Sequence, residues 1–281
     1  MTTRPFRQVD VFGSRAFSGN PLAVVLDAEG LADDDLRRIS VWTNLSECTF
    51  VLPPTTPQAD YRVRIFSLAN ELPFAGHPTL GTARAWLDAG GRPARTDVVV
   101  QECGSGLVPV RIDGDRLAFA APPLLREGPV DTDLLADVTA VLGLSPDQIV
   151  DATWADNGPG WIAVLLNSAA EVLALRPNAA AHPGHWDIGV VGAHPTGGEV
   201  DWELRAFFGE GALTEDPVTG SLNASVAQWL LSSRRATAPY TAAQGTAIGR
   251  EGRVGVSTED DTVWVAGRAV VAIRGEISTA N

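Results

Sequence analysis

The sequence has few cysteines, no long apolar run and fewer basic than acidic residues. Its two cysteines, Cys48 and Cys103, form no CxxC pair, which disfavours both a disulfide framework and a CxxC redox motif. No apolar stretch approaches the roughly 20 residues that a membrane-spanning helix needs. With 21 basic and 34 acidic residues the formal net charge is -13, and no basic stripe is present to bind nucleic acid. The first residues contain no apolar secretory segment, so we expect a cytoplasmic protein that binds neither membranes nor nucleic acid.

Patterns that bind nucleotides or metals are also missing from the sequence. It has neither a GxxxxGK[ST] phosphate loop nor a GxGxxG loop anchored to a strand, so a nucleotide cofactor is not expected. His182, His185 and Asp187 lie close together, but in a Pro/Gly loop without a third strong ligand, which disfavours a metal site. We therefore expect no cofactor and no metal.

The sequence does contain one pattern twice. The alternating stretch YRVRIFS recurs as DWELRAFF, and each copy is followed by a glutamate five residues before a glycine and then by a small-residue helix with a tryptophan. The matched positions are Arg64 with Arg205, Phe66 with Phe207, Glu71 with Glu215 and Gly76 with Gly220. An internal duplication explains this agreement better than coincidence.

The sequence pattern of each half predicts many short strands around one apolar helix. In the first half, GHPTLGTARAWLDAGG predicts a buried helix with Pro78 at its first position and a stop at Gly90 and Gly91. A hairpin of two strands is predicted for the stretch from VDVF to PLAVVLD, and a short helix is predicted for GLADDDLRRISVW. A linking helix is predicted from Asp131 to Gly143. We expect domains at 1–128 and 129–281, with the last strand able to return to the first domain.

The two predicted helices begin near His77 and Ser221. Duplicated halves usually meet face to face, so we expect both helix N-termini to point into one cleft, where small-molecule sites tend to form. The N–H groups and positive dipole end of a helix suit a carboxylate, so the expected substrate is a small acid. Asp216 stands five residues before Ser221 and is also placed to touch a ligand. The residues alone equally allow a cap, a turn residue and a buried imidazole at these positions.

Glu47 comes directly before the predicted strand CTFVL. A partly desolvated carboxyl there would have a raised pKa, suited to taking and returning a proton near neutrality. An exposed acid at the end of a strand is the alternative, and the local sequence leaves both open. Cys48 should face the opposite side of the strand, as a buried structural thiol.

Five motifs, in the order and spacing found here, resemble the phenazine-biosynthesis PhzF-like isomerase family over the whole chain. They are FSGNPLAVV, NLSECTFV, RIFSLANELPFAGHPTLGTA, EDPVTGS and GREGRVGVS. The resemblance implies an α+β fold of the diaminopimelate-epimerase-like type: two similar domains, each a β-barrel wrapped around a central α-helix, with the active site between them. It also implies a homodimer that uses no cofactor.

The resemblance also assigns roles. It implies Glu47 as the proton shuttle, with His77 and Asp216 polarising and orienting the substrate, and Ser221 holding the substrate carboxylate. Further substrate contacts are implied at Asn20, Ser46, Gly76, Pro78 and Gly220. The sequence departs from the family pattern at Leu68, Leu222 and Asn223.

Related epimerases and racemases on this fold use two thiols, one at each helix start. Here those places hold His77 and Ser221, which disfavours two-thiol inversion. We expect a cofactor-independent isomerase of secondary metabolism that moves a proton and a double bond in a small unsaturated carboxylic or amino acid. Two alternatives stay open: a catalytically silent homodimeric protein that binds small acids, and an epimerase that uses Glu47 with another base.

Overall fold

The computed structural model describes residues 2–279, which contain seventeen strands and five α-helices. The first ten of these elements are β1 (Thr2–Val11), β2 (Asn20–Val25), α1 (Asp33–Thr43), β3 (Cys48–Leu52), β4 (Tyr61–Ser67), β5 (Asn70–Leu72), α2 (Gly76–Asp88), β6 (Val98–Cys103), β7 (Gly106–Asp113) and β8 (Arg116–Ala120). The others are β9 (Arg126–Pro129), α3 (Thr132–Leu142), β10 (Ile149–Asp156), β11 (Ile162–Leu166), α4 (Ala169–Ala174), β12 (His185–Ala193), β13 (Trp202–Glu210), β14 (Thr214–Asp216), α5 (Gly220–Ser232), β15 (Tyr240–Gln244), β16 (Gly252–Glu259) and β17 (Thr262–Thr279). Short 3-10 helices span Pro146–Gln148, Ala179–Ala181 and Thr246–Ile248.

Within residues 2–279, no helix combines the length and the apolar character that crossing a membrane requires.

The chain forms two compact units. Unit 1 contains the described residues up to Ala120 and those from Ala266 onward, and unit 2 spans Ala121–Val265. The final strand, β17, thus begins in unit 2 and ends in unit 1, where it pairs with β1. The boundary expected from the sequence, between residues 128 and 129, lies inside unit 2.

Eight strands of unit 1 form a closed barrel. β1 pairs antiparallel with β2, β2 runs parallel to β3, β3 is antiparallel to β4, and β4 runs parallel to β6. β6, β7 and β8 form an antiparallel meander, and β17 closes the ring by pairing with both β8 and β1. The helix α2 contacts the barrel strands β1, β2, β3, β6, β7 and β8, so it lies inside the barrel. This enclosure explains why α2 is almost wholly apolar or small.

The bounds of α2 correct one prediction. The helix begins at Gly76, so Pro78 is its third residue and not its first. The N–H groups of the first helical residues have no acceptor within the helix, so proline, which lacks this group, loses no helical hydrogen bond at the third position either. The predicted stop is confirmed: Gly90 has a φ of 96° and the N–H of Gly91 donates to the carbonyl of Trp86 at 3.0 Å.

Buried polar contacts fix α2 inside the barrel. The hydroxyl of Thr82 donates to that of Thr49 at 2.8 Å, and the side-chain amide of Gln101 donates to Thr79 at 3.0 Å. Thr49 belongs to β3, two residues beyond Glu47. The helix and the strand that follows Glu47 are therefore held in a fixed relation.

Unit 2 repeats this architecture around α5. Its strands pair in the same series: β10 antiparallel to β11, β11 parallel to β12, β12 antiparallel to β13, and β13 parallel to β15, which is antiparallel to β16. The short strand β14 pairs with β13 and leads into α5, as β5 pairs with β4 and leads into α2. The predicted duplication is confirmed.

The matched residues make matched contacts in each unit. Arg64 donates from Nε to Glu71 at 2.7 Å, and Arg205 donates from Nε to Glu215 at 3.0 Å. Each arginine also lies over the phenylalanine two residues along its strand: Phe66 at 5.3 Å and Phe207 at 4.8 Å from the guanidinium carbon. In each unit, this arginine–glutamate pair stabilises the turn that leads into the central helix.

Two other predicted helices are also present. The Asp-rich helix is α1, with Asp33, Asp34 and Asp35 in its first turn, where acids favour the positive end of the helix dipole. The helix predicted from Asp131 to Gly143 is α3, which follows Asp131 and ends at Gly143 with a φ of 69°. Both helices are confirmed, but α3 does not link the two units: it lies within unit 2, where Val138, Val141 and Leu142 belong to the hydrophobic core.

Candidate active site

Glu47, His77 and Asn20 form one group in unit 1. An oxygen of the Glu47 carboxyl lies 3.3 Å from Nδ1 of His77, and the side-chain nitrogen of Asn20 lies 3.5 Å from the same Nδ1. His77 is 3% exposed, Asn20 is fully buried, and the side chain of Glu47 is 17% exposed. The structure therefore brings together three of the side chains that the sequence predicted.

The topology of the barrel explains why they meet. α1 ends at Asn44, whose φ of 53° turns the chain back toward β3. β3 runs parallel to β2, with Cys48 opposite Ala23, so both strands begin at the same edge of the sheet. Asn20 is the first residue of β2 and Glu47 directly precedes β3.

A buried aspartate shapes the loop before Asn20. Asp10, which is 7% exposed, accepts hydrogen bonds from the backbone N–H groups of Ser18 at 3.2 Å and Gly19 at 2.8 Å. A β carbon on Gly19 would lie 2.1 Å from the carbonyl oxygen of Val11, so only glycine fits there. Sequence reasoning missed Asp10, although an acid within the apolar strand end VDVF is a signal that could have found it.

His77 is electrically neutral at neutral pH. Burial lowers its pKa to about 3 from an ordinary value of 6.5. The distance of 3.3 Å to Glu47 would also fit an ion pair, but charging a fully enclosed imidazole costs more than one partly exposed carboxylate returns. We therefore describe this approach as a close contact between the carboxyl and a neutral ring, and not as an ion pair.

The two ring nitrogens of His77 have different surroundings. Nδ1 lies 3.5 Å from the side-chain nitrogen of Asn20 and 3.3 Å from the Glu47 carboxyl. An amide nitrogen only donates, so the contact with Asn20 fits a lone pair on Nδ1 and a ring proton on Nε2. Nε2 is buried and has no hydrogen-bond partner among residues 2–279.

The other predicted residues of unit 1 lie beside this group. Ser46 is half-buried next to Glu47, and Gly76 and Pro78 are buried in the first turn of α2. Because Pro78 has no N–H, this helix start offers only the N–H groups of Gly76 and His77. As an anion receptor it is weaker than an ordinary helix N-terminus.

Cys48 has the structural role that was predicted for it. Its side chain is fully buried in an apolar cluster with Phe50 and Phe66, and burial raises the pKa of its thiol to about 12. Such a thiol is not a proton-transfer group near neutral pH.

In unit 2, Asp216 is tied to the residue that precedes α5. The Thr219 hydroxyl donates to Asp216 Oδ2 at 2.6 Å. Gln244 accepts from the N–H of Thr219 at 3.0 Å and donates to the carbonyl of Asp216 at 3.1 Å. Asp216 and Thr219 are buried, so this network sets the direction in which the chain enters the helix.

The start of α5 offers more hydrogen-bond donors than the start of α2. The first N–H that bonds within the helix is that of Asn223, to the carbonyl of Thr219 at 3.0 Å. The N–H groups of Gly220, Ser221 and Leu222 therefore have no acceptor within the helix. All three point toward the N-terminal end, where the helix dipole favours an anion.

Two side chains hold Ser221 in place. The indole N–H of Trp161 donates to Ser221 Oγ at 3.0 Å, and the amide of Asn157 donates to the Ser221 carbonyl at 2.8 Å. Because Oγ accepts from Trp161, its own hydrogen is directed elsewhere and can be donated to a ligand. Sequence reasoning missed this contact, which joins residues 60 positions apart.

Leu222 and Asn223 serve the interior of unit 2. Leu222 is fully buried against Gly189, where a β carbon would lie 2.2 Å from the leucine Cδ1. Asn223 donates to Gln244 at 2.8 Å and is 2% exposed. These two departures from the family pattern therefore face inward.

The predicted residues thus form two groups, one in each unit. Glu47, His77 and Asn20 meet in unit 1, while Asp216 and Ser221 lie at the start of α5 in unit 2. A common cleft for both groups stays a prediction. Within residues 2–279 no three His, Cys, Asp or Glu side chains are grouped so that they could hold a metal ion.

Comparison with known proteins identifies the family. The profile of the phenazine biosynthesis-like protein family matches residues 9–275. The chain belongs to this family. It is an enzyme of an isomerase and epimerase family, and its fold is the expected diaminopimelate-epimerase-like one.

Two relatives and one solved structure illustrate the similarity. Antisense-enhancing sequence 1 of Schizosaccharomyces pombe is 34% identical, over 98% of this chain and 99% of the relative. The trans-2,3-dihydro-3-hydroxyanthranilate isomerase of Pseudomonas aeruginosa is 34% identical, over 88% of this chain and 87% of the relative. The structure of a predicted epimerase from Pseudomonas aeruginosa superposes with a TM-score of 0.79 at 26% identity, covering 99% of this chain and all (100%) of that one.

Proposed function

We propose that this enzyme catalyses a proton shift, and with it a double-bond shift, in a small unsaturated carboxylic or amino acid. Glu47 removes a proton from a saturated carbon next to the unsaturation, and the electron pair of the broken C–H bond enters the conjugated system. The same carboxyl then delivers the proton to another carbon of that system. The oxidation state of the whole molecule is unchanged, so the step needs no redox cofactor.

The observation that carries this proposal is the contact between Glu47 and the neutral, buried His77 at 3.3 Å. The enclosed ring restricts the positions that the neighbouring carboxyl can take, and a carboxylate held in place can act as a base. Because the ring is neutral, it does not hold Glu47 permanently in the charged form. The pair can therefore take up a proton and release it again.

The start of α5 supports the choice of an acid as substrate. Its three N–H groups and the Ser221 hydroxyl, oriented by Trp161, match the oxygens of a carboxylate. In the proposal, Ser221 and Gly220 bind the carboxylate, and Asp216, anchored to Thr219, orients the remainder of the ligand.

The first compound to test is trans-2,3-dihydro-3-hydroxyanthranilate, the compound named for the Pseudomonas aeruginosa relative. It is a cyclic unsaturated amino acid and so belongs to the proposed class. Purified protein is incubated with it in D2O, and proton and carbon NMR spectra are recorded over time. We expect a shifted double bond, with deuterium at the new C–H position to the extent that the proton held by Glu47 exchanges with D2O before it is delivered.

Inversion at a chiral centre without a double-bond shift would instead favour an epimerase. Binding without exchange or isomerisation would favour the silent acid-binding protein. A panel of cyclic dienoic and amino acids in the same assay tests the substrate class independently of this one compound. From the family resemblance we further propose a homodimer, which sedimentation equilibrium tests directly.

A further inference from the structure

The last strand of unit 1 extends beyond one of its neighbours. One edge of residues 269–279 of β17 pairs antiparallel with β1. On the other edge, the N–H of Ala269 donates to the carbonyl of Asp115 at 3.0 Å. Asp115 directly precedes β8, and the chain turns from β7 into β8 at Gly114, with a φ of 60°. Residues 270–279 therefore continue past the end of β8, and we call this edge the outer edge of β17.

The side chains along the outer edge are exposed on both faces of the strand. Every residue from Ala272 to Glu276 is exposed. Consecutive side chains of a strand point to opposite faces, so an unbroken run of exposed residues means that neither face is covered. The run includes the apolar Ile273, which is 49% exposed. An exposed strand edge that carries apolar residues is a place where a strand of another chain can pair.

The backbone groups of Arg274 and Glu276 point outward from this edge. The carbonyl of Pro5 in β1 accepts a hydrogen bond at 2.9 Å from the residue that follows β2, so the next residue, Phe6, faces β17. Phe6 lies opposite Gly275, and the backbone groups of Gly275 therefore face β1. Those of its two neighbours face away from β1. Each neighbour offers one N–H and one C=O to a further strand.

One register of a two-fold symmetric antiparallel pair places opposite charges together. If the symmetry axis passed through Arg274 or through Glu276, that residue would lie opposite its own copy, and like charges directly opposite each other are destabilising. An axis through Gly275 places Arg274 opposite Glu276 of the second copy, and the same pair forms again on the other side of the axis. In this register the outward backbone groups of both residues also face each other, as a hydrogen-bonded pair requires.

The same register matches the side chains on the other face of the strand. Gly275 becomes a pair without hydrogen bonds, in which the two Cα atoms approach to about 4.5 Å. The position has room for this approach, because no atom of residues 2–279 lies within 4 Å of a β carbon added to Gly275. Ile273 then lies opposite Ile277 of the second copy, so its exposed apolar side chain is covered.

The charge at the outer edge also favours an acid from a partner. Asp88 at the end of α2 forms ion pairs with both Arg7 and Arg274. Two guanidinium groups share this one carboxylate, so one positive charge is left over at this end of the barrel. Glu276 of a second copy supplies the missing negative charge.

We propose that a second copy of this chain binds along the outer edge of β17, so that the two β17 strands pair antiparallel about Gly275. One face of the joined strands carries two pairs of Arg274 with Glu276, and the other face carries two contacts of Ile273 with Ile277. Each pair of Arg274 with Glu276 also exchanges two backbone hydrogen bonds between the copies. This inference rests on the homodimer proposed above, and it does not depend on the proposed reaction.

A cysteine at the symmetry axis tests the register. In Gly275→Cys the two introduced Cα atoms lie about 4.5 Å apart, within the range of a disulfide. We expect mild oxidation to produce a covalent dimer on a non-reducing gel, and the unaltered protein, with Cys48 and Cys103 alone, to produce none. The control is Ser278→Cys, because residue 278 lies opposite residue 272 and the two cysteines are about 20 Å apart. No cross-link in Gly275→Cys, or equal cross-linking of both variants, would overturn the proposal.

Sedimentation equilibrium of charge variants tests the contacts. Glu276→Arg places arginines opposite each other twice, so we expect the Kd of the dimer to rise at least about tenfold. Arg274→Glu should act likewise, and an equimolar mixture of the two variants should dimerise again because each glutamate then lies opposite an arginine. Glu127→Arg makes the same charge change at an exposed strand position of unit 2 and should leave the Kd within about threefold.

The outcomes separate the interface from the other proposals. A dimer that Glu276→Arg does not weaken would overturn this interface and leave the homodimer standing. An unaltered protein that stays monomeric at every concentration would overturn both. Neither result bears on the proposed reaction, which the turnover assay decides separately.

Discussion

Replacing His77 with glutamine should flatten the dependence of stability on pH. Burial lowers the pKa of the folded imidazole to about 3, whereas the unfolded chain has the ordinary value of 6.5. Between these values the unfolded state binds a proton at this residue that the folded state does not bind. Stability therefore rises with pH in this interval, and it is lost as the pH falls below about 6.5.

The size of the effect follows from the same two values. For one histidine that stays neutral in the folded state, lowering the pH from about 7 to about 5 costs about 2 kcal/mol of unfolding free energy. The loss continues to grow toward pH 3, where the folded imidazole begins to take up its proton. The His77→Gln variant has no such group, so it should lose about 2 kcal/mol less over this range.

Urea unfolding of both proteins at a series of pH values measures the difference. Contributions from the carboxyl groups common to both proteins cancel in the comparison to first order. Parallel curves for the unaltered protein and His77→Gln, or an NMR titration of His77 near its ordinary pKa, would refute the neutral buried imidazole.

Three further predictions concern single contacts. Trp161→Phe removes the N–H that orients Ser221, so it should raise KM about three- to tenfold with kcat little changed, as steady-state kinetics will show. Gly19→Ala places a β carbon 2.1 Å from a carbonyl oxygen, so it should cost at least about 2 kcal/mol in urea unfolding and lower activity by displacing the adjoining Asn20. Arg205→Met leaves the Glu215 carboxylate, whose side chain is 11% exposed, without its guanidinium partner, so it should cost about 3 to 5 kcal/mol in the same assay.

Each of these changes has a matched control. Ser221→Ala should raise KM by itself. In a protein that already carries Ser221→Ala, adding Trp161→Phe should change KM very little. Additive effects of the two changes on KM would contradict the role of Trp161 in orienting Ser221. Gly275→Ala should cost less than about 1 kcal/mol, because no atom of residues 2–279 lies within 4 Å of its added carbon. Arg64→Met is the matching change in unit 1. The side chains of Arg64 and Glu71 are 25% and 41% exposed, so this change should cost about 1 kcal/mol or less of unfolding free energy. Equal costs at the two arginines would contradict the difference in burial.

Local patterns in the sequence predicted the repeated parts of the fold. The order of Arg64, Glu71 and Gly76, and the five-residue step from the glutamate to the glycine, recur in the second half because each triplet stabilises the turn into a central helix. The start of α2 was placed two residues late, because proline favours the first helical position but is tolerated at the third.

Contacts between distant strands could not be predicted from local patterns. The role of Trp161 depends on the approach of the residue before β11 to the start of α5. The cytoplasmic location, the homodimer and the proton shuttle stay predictions.

The most direct test of the central claim is the turnover of trans-2,3-dihydro-3-hydroxyanthranilate by Glu47→Gln, with anthranilate binding measured on the same preparation. Glutamine keeps the shape of the side chain but cannot carry the proton. We predict a fall in kcat of at least about 100-fold with the Kd for anthranilate nearly unchanged, and no effect of the exposed control Glu127→Gln. Turnover by Glu47→Gln within about tenfold of the unaltered enzyme would contradict the account, because Glu47 would then not be the group that moves the proton.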